Sequence, residues 1–154
     1  MADLWAALAA TDPAAWMRVS RWGYAGVNAG HILGVALLVG AIVPLDLRLL
    51  GVWKRQPLDG LACVLVPVAA TGLALAAGCG ALLFLAGPAD YAANPVFLSK
   101  MALVLAGAMA ALWATLRGGV AALSPARGRA VAVISLLCWL SALVLGRLIA
   151  FTMV

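Results

Sequence analysis

The chain has 154 residues, 67% of them apolar and 10% charged, with a mean hydropathy of +1.15. An ordinary soluble domain is roughly 25% charged, so a water-soluble globular protein is excluded and an integral membrane protein is expected. The net charge of +5 comes from basic residues at the ends of apolar runs rather than from a dense patch; with no nucleic-acid-binding motif present, no nucleic-acid partner is expected.

The N-terminal apolar stretch, residues 4–10, is short and has no Lys or Arg before it. It does not read as a cleaved signal and is expected to stay in the mature protein. Asp12-Pro13 reads as a helix N-cap followed by proline at the first helical position. The helix it opens, about 13–24, carries Trp16, Arg18, Arg21 and Trp22, a composition suited to the membrane interface.

About 20 apolar residues cross a bilayer as a helix, and four stretches qualify: about 27–45, 61–86, 96–116 and 131–150. All must be helical, because lipid offers no partner to open backbone groups. Asn94-Pro95 and Ser124-Pro125 carry the same cap-and-proline signal ahead of the last two. The expected fold is therefore all-α: one transmembrane domain, a four-helix bundle with an N-terminal interfacial amphipathic helix. Gly26, Gly30 and Gly34 recur every four residues, and Ala76 with Gly80 and Gly107 with Ala111 repeat the spacing. Such small residues let membrane helices approach closely. Pro67 and Gly72 are expected to bend the second span. Cys63, Cys79 and Cys138 lie inside apolar runs without a CxxC pair and read as small apolar residues.

Arg48, Lys54 and Arg55 follow the first span; Arg117, Arg127 and Arg129 follow the third. The loop between the second and third spans, GPADYAANP, has no Lys or Arg. The positive-inside rule then places the basic loops in the cytoplasm and both termini outside.

Ionisable groups inside a membrane are costly and face protein, water or a ligand. His31, the one histidine, stands near the start of the first span, Lys100 near the start of the third and Arg147 near the end of the fourth. With the alternating directions of the spans, each lies about 5–6 Å below the outer boundary at 1.5 Å per residue. Asn28 precedes His31 by three residues and is expected to share its face. Asp90, Tyr91 and Asn94 belong to the loop above. Two readings of this cluster stand side by side. Lys100 and Arg147 reach the headgroups and His31 bonds a carbonyl or Asn28, or the group forms a ligand site. As a haem site, His31 is one axial ligand; Lys100, Arg147, Arg18 or Arg21 pairs with the propionates; and Met101, Met153, Lys100, water or another subunit's histidine completes the iron. A copper site of His31, Cys79 and a methionine, and a Cys79–His31 dyad, have weaker support. Asp46 with Arg48 reads as an interfacial anchor at the end of the first span, which leaves no intramembrane acid for coupled proton transport.

The run GHILGVALLVGAIVPLDLRLLG, with His-x-Leu-Gly and a closing DLRLLG, and the run ANPVFLSKMALVLAGAMAALW resemble a family of small uncharacterised bacterial four-helix membrane proteins. More loosely, the early histidine of one helix and the KMALV opening of a later one are similar to CopD-like membrane domains and to HemJ-type protoporphyrinogen oxidases. The resemblance implies a four-helix membrane fold, with haem b as a candidate ligand at His31 and Lys100.

The expected function is that of a small inner-membrane accessory or structural subunit. Its partners are the lipid bilayer and a membrane-protein partner or a second copy of the chain. One alternative is a haem b-binding redox protein using Asn28, His31, Lys100 and Arg147. Another is a small transporter or metal-handling protein. No catalytic residue is assigned.

Overall fold

A computed structural model describes residues 2–152. These residues form seven α-helices and no strand: α1 (Ala2–Ala9), α2 (Asp12–Val19), α3 (Arg21–Leu50), α4 (Leu58–Leu85), α5 (Pro88–Ala93), α6 (Pro95–Leu116) and α7 (Pro125–Thr152), with a 3-10 turn at Val120–Ala122. Four of them, α3, α4, α6 and α7, are long and apolar enough to cross a membrane. They contain the four expected stretches almost entirely and run longer at most ends, because the flanking polar residues continue the helical hydrogen-bonding.

The expected helix at 13–24 is divided in two. Ser20 leaves the helical conformation and its hydroxyl accepts from the Gly23 backbone N–H at 3.0 Å, capping α3. Arg21, Trp22 and Tyr24 thus belong to the first long helix. The helix before Ser20 starts one residue earlier than expected, with Asp12 inside it. Thr11, at the cap position, donates to the Leu8 carbonyl instead of capping α2. The signal at Asn94-Pro95 is realised: Asn94 Oδ1 accepts from Val96 N and Phe97 N at 2.9 and 3.2 Å, ahead of proline in the first turn of α6. Gly51, with φ of 104°, ends α3 in the left-handed conformation that glycine adopts without strain.

α3 packs along α4 on one side and along α7 on the other, and α7 packs along α6. The pair α3 and α7 is therefore central, and α4 and α6 flank it. The buried stripe of α3 is Gly34, Leu38, Ala41, Leu45 and Asp46; that of α7 runs from Gly128 through Ala132, Ser135, Cys138, Trp139 and Ala142 to Ile149. At the α3–α4 seam the backbones touch. A Cβ on Gly34 would stand 2.5 Å from Ala76 N, and one on Gly72 2.5 Å from Leu38 N. Gly30 meets Cys79 Sγ, whereas nothing lies within 4 Å of a Cβ at Gly26. The expected glycine stripe thus packs through its second and third members only.

The short helices gather at one end of the long ones. α1 lies on α5 and α2, and α2 on α3 and α4. Ala14 and Met17 of α2 are buried while Trp16 and Arg18 are exposed. This capped end holds the starts of α3 and α6. The opposite end carries Arg48, Lys54, Arg55, Arg117, Arg127 and Arg129.

Candidate functional site

His31 stands on α3 nearly three turns from its start at the capped end. Its Nδ1 lies 2.8 Å from the carbonyl oxygen of Ala76 on α4. A carbonyl only accepts, so Nδ1 carries the proton, and in the neutral imidazole Nε2 is the lone-pair nitrogen. The approach depends on a residue without a side chain: a Cβ on Gly80 would meet His31 Cε1 at 3.1 Å. Nε2 has no hydrogen-bond partner among the described residues, and it is not sealed away from the surface.

Lys100, half-buried on α6, lies against α7, where a Cβ on Gly146 would stand 3.7 Å from its Nζ. Its ammonium is within coulombic range of the His31 ring, and no carboxylate among the described residues stands beside it. The helices thus place an imidazole nitrogen acceptor within coulombic range of an ammonium donor, and neither has a hydrogen-bond partner among the described residues.

An aromatic cluster covers this pair on the capped side. Phe84 is one turn beyond Gly80 on α4, and Phe97 is one turn before Lys100 on α6. Their rings stack at 5.7 Å between centroids and 19° between planes. Tyr91 lies 5.2 Å from Phe97 and 6.0 Å from Phe84, and Trp5 meets Phe84 edge-on at 6.0 Å. Burial and the neighbouring Tyr24 hold the Tyr91 phenol above its ordinary ionisation range. Asn94 Nδ2 donates to Thr152 Oγ1 at 3.0 Å and ties the start of α6 to the end of α7.

Of the four residues expected to form the site, His31 and Lys100 come within coulombic range of each other. Arg147 is exposed, with its guanidinium 5.2 Å from the Phe151 ring centroid. Asn28 is exposed and makes no hydrogen bond with His31. Cys79 Sγ packs on Gly30, and among the described residues it forms no hydrogen-bonded dyad with His31. Met101 is exposed on α6, and Met153 lies outside the described residues. No group of three or more His, Cys, Asp or Glu able to hold a metal ion occurs among the described residues.

The anchor reading of Asp46 and Arg48 is overturned. Asp46 is 4% exposed and faces Ser135 of α7. Arg48 turns the other way and donates to the Gln56 and Lys54 carbonyls at 2.8 and 3.2 Å. Residues two apart on a helix point in nearly opposite directions, and this rotation is the signal in the sequence that separates them. The aromatic cluster also escaped the sequence reading, because its four rings come from four helices.

The fold defines an all-helical chain with four helices fit to span a membrane. Comparison with protein-family models, with curated proteins and with solved structures gave no match.

Proposed function

We propose that this chain is a small multi-pass protein of the bacterial inner membrane whose four long helices form one bundle, with the basic loops in the cytoplasm and the capped end outside. The clustering of Arg and Lys at one end supports this orientation. Within that setting the protein serves a membrane assembly as an accessory subunit, and the His31–Lys100 pair is where it holds a ligand. The ligand is an amphiphile with an acidic group: its anion meets Lys100, and a donor or metal within it meets His31 Nε2. The observation that carries this reading is the imidazole itself. One nitrogen is fixed on Ala76 O at 2.8 Å while the other is left free beside an unpaired ammonium. Ligating histidines are commonly oriented in this way, by donating the second ring N–H to a backbone carbonyl.

Haem b belongs to this ligand class and is the second reading. The donor set fits it in part. His31 Nε2 suits one axial position and Lys100 one propionate. Two well-formed cavities lie elsewhere, at the basic end and beside α1 and α5. When bound, haem would supply one-electron chemistry; the chain's own residues orient the imidazole and neutralise one acid group.

Protein purified in mild detergent tests both. Oxidised and dithionite-reduced spectra, with mass spectrometry of the extracted small molecules, are compared for wild type, His31→Ala and Lys100→Met. An acid-bearing molecule held by wild type and lost from both variants is expected, and a Soret band would identify it as haem. Identical extracts from all three folded proteins would refute a ligand site and leave His31 a packing residue.

A further inference from the structure

A second polar cluster lies toward the basic end, independent of His31 and Lys100. Asp46 is 4% exposed, Ser135 8% and Trp139 4%. Ser135 and Trp139 are one turn apart on the buried face of α7, and Asp46 faces Ser135 from α3. Gly107 of α6 receives the Trp139 ring, where a Cβ would come within 2.9 Å of Cε2. Two buried side-chain atoms among the described residues lack a hydrogen-bond partner, Asp46 Oδ2 and Trp139 Nε1. One is an acceptor and the other a donor.

No cation answers the carboxyl. Arg48, on the same helix, is held by the loop carbonyls of Lys54 and Gln56. On α7, Arg127 and Arg129 are exposed and Cys138 is the buried titratable neighbour. On α4, Asp59 and Cys63 are exposed; on α6, Arg117 is exposed and lies over the Trp113 ring at 5.2 Å. A buried carboxylate without a counter-ion carries a desolvation cost that one hydroxyl does not offset, and binding a proton removes the charge.

We infer that Asp46, with Ser135 beside it, is a proton-binding site within the membrane-spanning helices. The carboxyl holds the proton as a neutral acid, and Ser135 supports it. A cavity of about 170 Å³ at the basic end is lined by Arg48, Leu49, Ser124 and Gly128, about one turn along α3 from Asp46.

The composition makes the test clean. The five acidic side chains are all aspartates, and Asp3, Asp12, Asp59 and Asp90 are exposed. Dicyclohexylcarbodiimide partitions into apolar surroundings and reacts with a neutral carboxylic acid. The acid O–H adds across one N=C bond, and acyl transfer to nitrogen then gives a stable N-acylurea; no group leaves. Intact-mass and peptide analysis of the full chain in vesicles should show one adduct, at Asp46, that forms more slowly as pH rises and is completely lost in Asp46→Asn. An unmodified Asp46 in folded, inserted protein, or a rate indifferent to pH, would overturn the inference. If Asp46→Asn does not fold, infrared difference spectra of wild type carrying ¹³C-labelled aspartate decide the matter. A protonated-acid carbonyl band at neutral pH that disappears on raising the pH is expected; carboxylate bands alone at neutral pH would refute the site.

Discussion

The His31 Nδ1–H donates to the Ala76 carbonyl across the α3–α4 seam, at 2.8 Å. That bond fixes the ring's tautomer and aims Nε2 away from the seam. It exists because Gly80, one turn along α4, leaves space for the ring edge. Gly80→Ala should push the imidazole aside and cost about 1 kcal/mol, the net worth of one hydrogen bond. Unfolding measurements on a double-mutant cycle check this: the cost should vanish in a His31→Ala background.

The seam itself makes a sharper contrast. Gly34→Ala or Gly72→Ala would set a methyl against the facing backbone at 2.5 Å, so the helices must separate, with a loss of about 1–3 kcal/mol. At Gly40 and Gly78 a Cβ meets nothing within 4 Å. Alanine there should leave the melting temperature unchanged or slightly raised, since alanine favours the helix.

Among the described residues Lys100 has no acidic partner, so its charge stabilises the ligand-free fold little. Lys100→Met should keep the melting temperature of ligand-free protein or raise it, by up to about 1 kcal/mol of stability, while abolishing ligand retention. Loss of both together would instead mark Lys100 as a structural residue.

Tyr91 gives a pH prediction outside the spanning helices. Its phenol ionises above the usual 10.0 because it is buried, with Tyr24 adding to the effect. A raised folded-state value favours the folded state while the phenol is neutral. That contribution is complete below the unfolded-state value and is lost as pH climbs through the folded one. The chain has two tyrosines, so in Tyr24→Phe the ultraviolet ionisation signal reports Tyr91 alone. Its midpoint should lie above 10.0 and return to the ordinary range on unfolding.

The four spans were legible because their signal is additive: some 20 apolar residues announce themselves whatever they pack against. The cap at Asn94 was legible because its chemistry is local. What the sequence hid was rotation about each helix axis. Asp46 and Arg48 look like a pair in the chain and diverge in space, and Arg147 adjoins Gly146, which faces Lys100, yet points outward. The interior stripe of α7, from Gly128 to Ile149, passes through position 146 and misses 147. Phasing each span from its small residues would have assigned both. Ser20 was missed because one hydroxyl capping Gly23 N ends a helix that composition alone would continue. The aromatic cluster depends on contacts between separate helices, which no local pattern records.

His31 presents an Nε2 with no partner among the described residues, within coulombic range of Lys100. The single histidine makes ¹⁵N NMR of histidine-labelled protein in bilayers the most direct measurement. A protonated Nδ1 is expected, with Nε2 either bare or shifted by a bound ligand, and that shift should be absent in Lys100→Met. A proton on Nε2 with a bare Nδ1 would contradict the Ala76 bond and, with it, the ligand site.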